Sequence, residues 1–147
     1  MRILTTAAIA ALALAGTAGA QGIKINPGMW TYDTTMDISM NMNGQEMDMP
    51  GQTTSESQCV TEADATFDPS QFTEPGCSIS NLQETSSTVS FTVNCNQQGM
   101  TMTGDMSATV VDGGNGMDMT MKMNGNQPGM GTMDINGVVK GRRSGDC

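Results

Sequence analysis

The residues best equipped for chemistry in this 147-residue chain are sixteen methionines and four cysteines, in a sequence with no histidine. Most of the methionines fall in three runs, Met36 to Met49, Met100 to Met106 and Met117 to Met133, where Met alternates with Asp, Asn, Thr, Ser, Lys or Gly. A thioether sulfur is a soft ligand suited to Cu(I), and it is also an adaptable apolar filler. Without histidine the usual general base and every Ser-His or Cys-His device are missing. Carboxylates are plentiful, but Asp33, Asp37, Asp48, Asp105, Asp118 and Asp134 alternate with the apolar positions and so read as solvated surface. Five scattered aromatics are few for the sugar platforms a paired-carboxylate glycosidase would use. The stretch Gly113 to Met119 matches the opening of a Ca²⁺-binding nonapeptide, yet it occurs once, and that motif works in tandem copies. A non-enzymatic protein without a cofactor is the expectation.

The elements that must position these residues follow from the same alternation, which marks strands with one apolar and one solvated face. Even positions Trp30, Tyr32, Met36, Ile38, Met40 and Met42 share a face, and Asn43-Gly44 signals a tight hairpin. That turn pairs Met40 with Met47 and Ile38 with Met49, and Pro50-Gly51 then reads as a bulge or an edge break. Thr61 to Ala65 fits one capped helical turn, and 67–76 reads as loop. Two further strands around Glu84 to Ser87 put Ile79 opposite Val93, Asn81 opposite Phe91 and Cys77 opposite Cys95. A third hairpin, closed by Asp112 to Asn115, sets Met106 against Met121 and Val110 against Met117. A loop over 124–129 leads to a last strand in which Met133, Ile135 and Val139 share a face. Gly104, Gly131 and Gly137 suggest kinks where a sheet curls. The expected fold is all-β, an antiparallel meander forming a small barrel or strongly curled half-barrel.

Opposed cysteines lie within reach of a bridge, so Cys77–Cys95 is the favoured disulfide, which leaves Cys59–Cys147. A thiolate metal site is the rival, but there is no C-x-x-C spacing and no histidine. Disulfides fit an oxidising compartment. Arg2, the apolar stretch Ile3 to Ala15 and Ala18-Gly19-Ala20 have the form of a secretory leader, too short to span a membrane. The expected organisation is a signal peptide over 1–20 and one domain over 21–147, periplasmic or secreted. Loss of Arg2 would move the net charge from −9 to −10. That balance argues against nucleic acid and anionic membrane surfaces as partners.

Pro27-Gly28-Met29-Trp30, Cys59-Val60-Thr61, Gly76-Cys77, Cys95, Gly99-Met-Thr-Met-Thr-Gly104 and Gly141-Arg-Arg-Ser-Gly-Asp-Cys147 occur in that order. The ordered set resembles the bacterial exported proteins of domain-of-unknown-function family 3617, from Pro27 to Cys147. Glu62 stands where that family usually has proline. The resemblance implies an exported protein and brings no activity, ligand or site residue with it.

Three functional readings stand. The first is binding of an apolar ligand or polypeptide segment in a Met-lined concave face, with Met36, Met40, Met47, Met102, Met106, Met119 and Met121 as contacts. The second is Cu(I) or Ag(I) binding by converging thioethers of Met40, Met47, Met106 and Met121. The third is a structural envelope protein with a filled core.

Overall fold

A computed structural model describes residues 22–73 and 75–147; the expected leader and its cleavage site lie outside the described residues. The strands are β1 (Ile23–Lys24), β2 (Gly28–Met42), β3 (Gln45–Val60), β4 (Thr66–Phe67), β5 (Cys77–Glu84), β6 (Thr88–Gln97), β7 (Met100–Val111), β8 (Gly116–Gln127) and β9 (Gly131–Gly145). Seven of them form one antiparallel sheet in the order β3-β2-β9-β8-β7-β6-β5, and β1 pairs with β4 as a small separate ribbon.

The local registers follow the residue pattern. Met40 faces Met47 and Ile38 faces Met49 across the Asn43–Gly44 turn, whose φ values of 54° and 80° are those of a type I′ turn. The register slips by one between Met36 and Ile38, opposite Pro50–Gly51, as a bulge in an edge strand. Cys77 faces Cys95, Ile79 faces Val93, Met106 faces Met121 and Val110 faces Met117. Both expected disulfides, Cys77–Cys95 and Cys59–Cys147, are formed.

Five local expectations are corrected, the first being the loop over 124–129, which is shorter because β8 runs to Gln127 with Asn124 to Asn126 paired to both β7 and β9. Asn81 does not face Phe91: it takes a left-handed φ of 53°, which asparagine tolerates, and the resulting bulge sets Gln83 opposite Ser90. Thr61 to Asp64 makes a turn, not a helical turn, closed by Asp64 N donating to Thr61 O (3.1 Å) and by Thr61 Oγ1 donating to Asp64 Oδ2 (2.7 Å). The expected loop over 67–76 contains the end of β4 and a 3-10 turn, Pro69–Phe72, capped by the Asp68 carboxylate. Pairing also runs unbroken through Gly104 and Gly137, so neither is a kink.

The larger correction concerns closure. The sheet is neither a barrel nor a strongly curled half-barrel. Strands β5 to β9 form a continuous meander, and β9 then pairs with β2 of the N-terminal hairpin, leaving β3 and β5 as separate edges. Among the described residues, the apolar face is covered at one end only. There Ile23 packs on Val89, Phe91, Val93, Met106 and Ala108, while Ile25 and Ala65 pack on Trp30, Val60 and Met117. The covering arm, residues 23–26, is tied down by Ile25 N donating to Ala65 O (2.9 Å) and Asn26 N donating to Gly114 O (2.8 Å). Trp30, fully buried, donates from Nε1 to Asn26 O (2.8 Å). Covering part of the face with an arm is an alternative to rolling the sheet up, and this chain uses it.

Candidate functional site

Register places one apolar set across the whole sheet. Met36, Ile38 and Met40 on β2 lie beside Gly137, Ile135 and Met133 on β9, which lie beside Met121, Met123 and Gly125 on β8. Next come Met106, Gly104 and Met102 on β7, then Phe91, Val93 and Cys95 on β6. Glycines on this face are notches filled by long neighbours. Met121 Cε lies 3.1 Å and Met123 Cγ 2.5 Å from where a Cβ would sit on Gly137 and Gly104. Above Gly125 stand Met133 Cε and Met102 Cγ, at 3.6 and 3.7 Å from the corresponding point. Unbranched thioether chains can lie flat over a notch, which β-branched residues cannot do.

The opposite face is a lattice of polar side chains. Thr31 bonds Ser57 (2.9 Å), Thr92 donates to Asp105 (2.7 Å), and Arg142 pairs with Asp118 (2.8 Å). The carboxylates expected on the polar side are there: Asp33, Asp37, Asp48 and Asp105 are exposed, Asp118 and Asp134 half-buried. Among the described residues, no three Asp, Glu or Cys gather as a metal cluster.

The seven methionines expected to contact a ligand divide into two groups. Met106, 8% exposed, belongs to the core with Phe91 and Val93, and Met119 and Met121 pack against that core. Met36, Met40 and Met102 are half-buried on the part of the face beyond the arm, and Met47 is 45% exposed. The four thioethers expected to share a metal form two in-register pairs that do not converge. Met121 is level with Gly137 and Met40 with Met133, four residues apart on β9, or about 13 Å at the strand rise.

Two hollows indent the uncovered half. One, about 120 Å³, lies between β2 and the edge strand β3 and is lined by Thr34, Met36, Ile38, Met49, Pro50, Gln52 and Thr54. The other, about 100 Å³, lies at the turn end, where Met40, Met42, Met100, Met130 and Met133 meet. Of these five only Met40 was a sequence candidate. Met42, Met100 and Met130 flank or occupy turns, and that position beside a turn is the signal that marks them. A third cavity, about 470 Å³, opens under the arm between Tyr32, Gln58, Val60, Asp64, Phe67, Gln71 and Met117. It depends on how the arm docks, which alternation does not encode. Burial raises the Tyr32 pKa, and a hydrogen bond with Gln58 opposes part of that rise.

The fold and site together define a disulfide-stapled, open antiparallel sheet with a thioether-rich apolar face. Over residues 25–147 the chain matches the family described as "Protein of unknown function (DUF3617)", and it belongs to that family. No match to the chain was found among curated proteins or among solved structures.

Proposed function

We propose that the protein is an exported, non-enzymatic binding module. Its occupant is an extended polypeptide segment that adds alongside the β3 edge and inserts alternate side chains into the Met-lined half of the apolar face. The observation that carries this reading is the 120 Å³ hollow lying between β2 and an edge strand that, among the described residues, pairs on one side only. At this hollow, size decides between occupants. Drug-sized ligands occupy roughly 300–1,000 Å³, whereas this hollow suits a single large aliphatic side chain. Strand addition supplies main-chain hydrogen bonds, and pockets for alternate residues supply selectivity. The rim agrees: Thr34 on β2 and Gln52 and Thr54 on β3 line the hollow with polar groups beside its apolar residues, the usual arrangement of an interface. A thioether floor accepts varied apolar side chains. Two disulfides fit export to the periplasm or beyond.

The test is fluorescence anisotropy of a labelled nine-residue peptide alternating leucine and lysine, against a peptide of the same composition with leucines at helical spacing. The alternating peptide is expected to bind saturably and in preference to its control. Met49→Asp places an unpaired carboxylate at the hollow, which costs on the order of 1–3 kcal/mol and should weaken binding about tenfold or more. Equal binding of both peptides, or of neither, contradicts the proposal.

A further inference from the structure

The hollow at the turn end gathers five methionines from three strands and one turn. Met40 and Met42 come from β2, Met100 from the start of β7, Met130 from the β8–β9 turn and Met133 from β9, with Gly125 of β8 in the lining. Antiparallel connection brings the turns at 43–44, 98–99 and 128–130 to the same end of the sheet, and each turn carries a methionine beside it or within it. Gly125 keeps the floor low, so Met133 Cε reaches over it. Met130 is 55% exposed at the mouth, a position where an apolar side chain gains little from burial. The space, about 100 Å³, is small for an organic ligand and ample for one ion.

We infer that this hollow is a thioether site for a single soft monovalent cation, Cu(I) or Ag(I). Three or four of the five sulfurs can turn inward by rotating unbranched side chains, while the sheet backbone stays in place. The donor set is neutral and soft, so it selects against Zn²⁺, Ca²⁺ and Mg²⁺, which take imidazole, thiolate or oxygen ligands. Thioethers carry no proton to release, so binding is independent of pH over roughly pH 5–8, unlike a site built from imidazole, thiolate or carboxylate. This site shares no residue with the hollow proposed for a polypeptide, and the two are tested separately.

The experiment titrates the full chain with silver nitrate in chloride-free buffer, followed by native mass spectrometry and by the NMR signals of the methionine ε-methyl groups. One ion per chain is expected, with shifts at Met40, Met42, Met100, Met130 and Met133 and none at Met106 or Met117. Met42→Leu/Met100→Leu/Met130→Leu preserves volume and apolarity while removing three sulfurs, and should lower affinity at least about 100-fold with an unchanged circular dichroism spectrum. Met29→Leu should leave affinity as it was. The inference is overturned by absence of a one-to-one adduct, by methyl shifts spread over all the methionines, by unchanged affinity in the triple variant, or by affinity that rises with pH across that range.

Discussion

Tyr32, at the wall of the cavity beneath the arm, is the protein's only tyrosine. Burial raises its pKa because the phenolate is poorly solvated there. The sign follows directly. The native state disfavours ionisation, so Tyr32 contributes stability that is intact below the unfolded value near 10 and is lost as pH rises through the folded value. Tyrosinate absorbance of the native chain should therefore rise at higher pH than that of the denaturant-unfolded chain; coincident curves would show that the phenol is fully solvated. The glycines of the apolar face make a second test at this scale. A Cβ on Gly104 would meet the Lys122 carbonyl oxygen at 2.6 Å, and backbone cannot step aside; on Gly137 it would meet only the end of Met121 at 3.1 Å. Gly104→Ala should cost about 1–3 kcal/mol in urea unfolding, and Gly137→Ala within ~0.5 kcal/mol of nothing. Equal costs would contradict the notch packing.

Hairpins were the most legible elements. Alternation with Asn43–Gly44 between two apolar runs leaves one register that keeps Met40, Met47, Ile38 and Met49 on a single face, and the same logic set Cys77 opposite Cys95. Gln98–Gly99 was not legible as a hairpin turn, because Gln98 adopts a φ of 53° that glutamine seldom takes. The bulge at Asn81 left a trace only in the break of alternation between Ile79 and Leu82, a step of three where a strand repeats every two. The disulfides bridge different scales of chain. Cys59–Cys147 closes a separation of 88 residues and Cys77–Cys95 one of 18. In the chain-entropy account these are worth about 4–5 and about 3 kcal/mol. Replacing each pair with serine should preserve that order in unfolding experiments. A larger loss from the short hairpin link would show that unfolded-chain entropy is not the dominant effect.

At the scale of the whole molecule, which residues share a face was readable, and how the sheet ends was not. Closure depends on whether β3 and β5 meet, and no residue pattern in either strand states its outer neighbour. The expected metal set failed for the same reason. Met40 with Met47 and Met106 with Met121 are each local pairs, but their separation is set by β9, inserted between β2 and β8 from the far end of the sequence. The turn-end cluster and the cavity under the arm likewise arise from strand order and docking. What remains central is an apolar face that, among the described residues, is covered at one end by the arm and is open and thioether-rich at the other. Methionine oxidation by dilute hydrogen peroxide, followed residue by residue by mass spectrometry with and without the alternating leucine–lysine peptide, tests that claim most directly. Met47, Met49 and Met130 should oxidise fast, Met106 and Met117 slowly, and the peptide should slow Met36 and Met49. Uniform rates along the chain, or no protection of Met36 and Met49 by the peptide, would contradict the account.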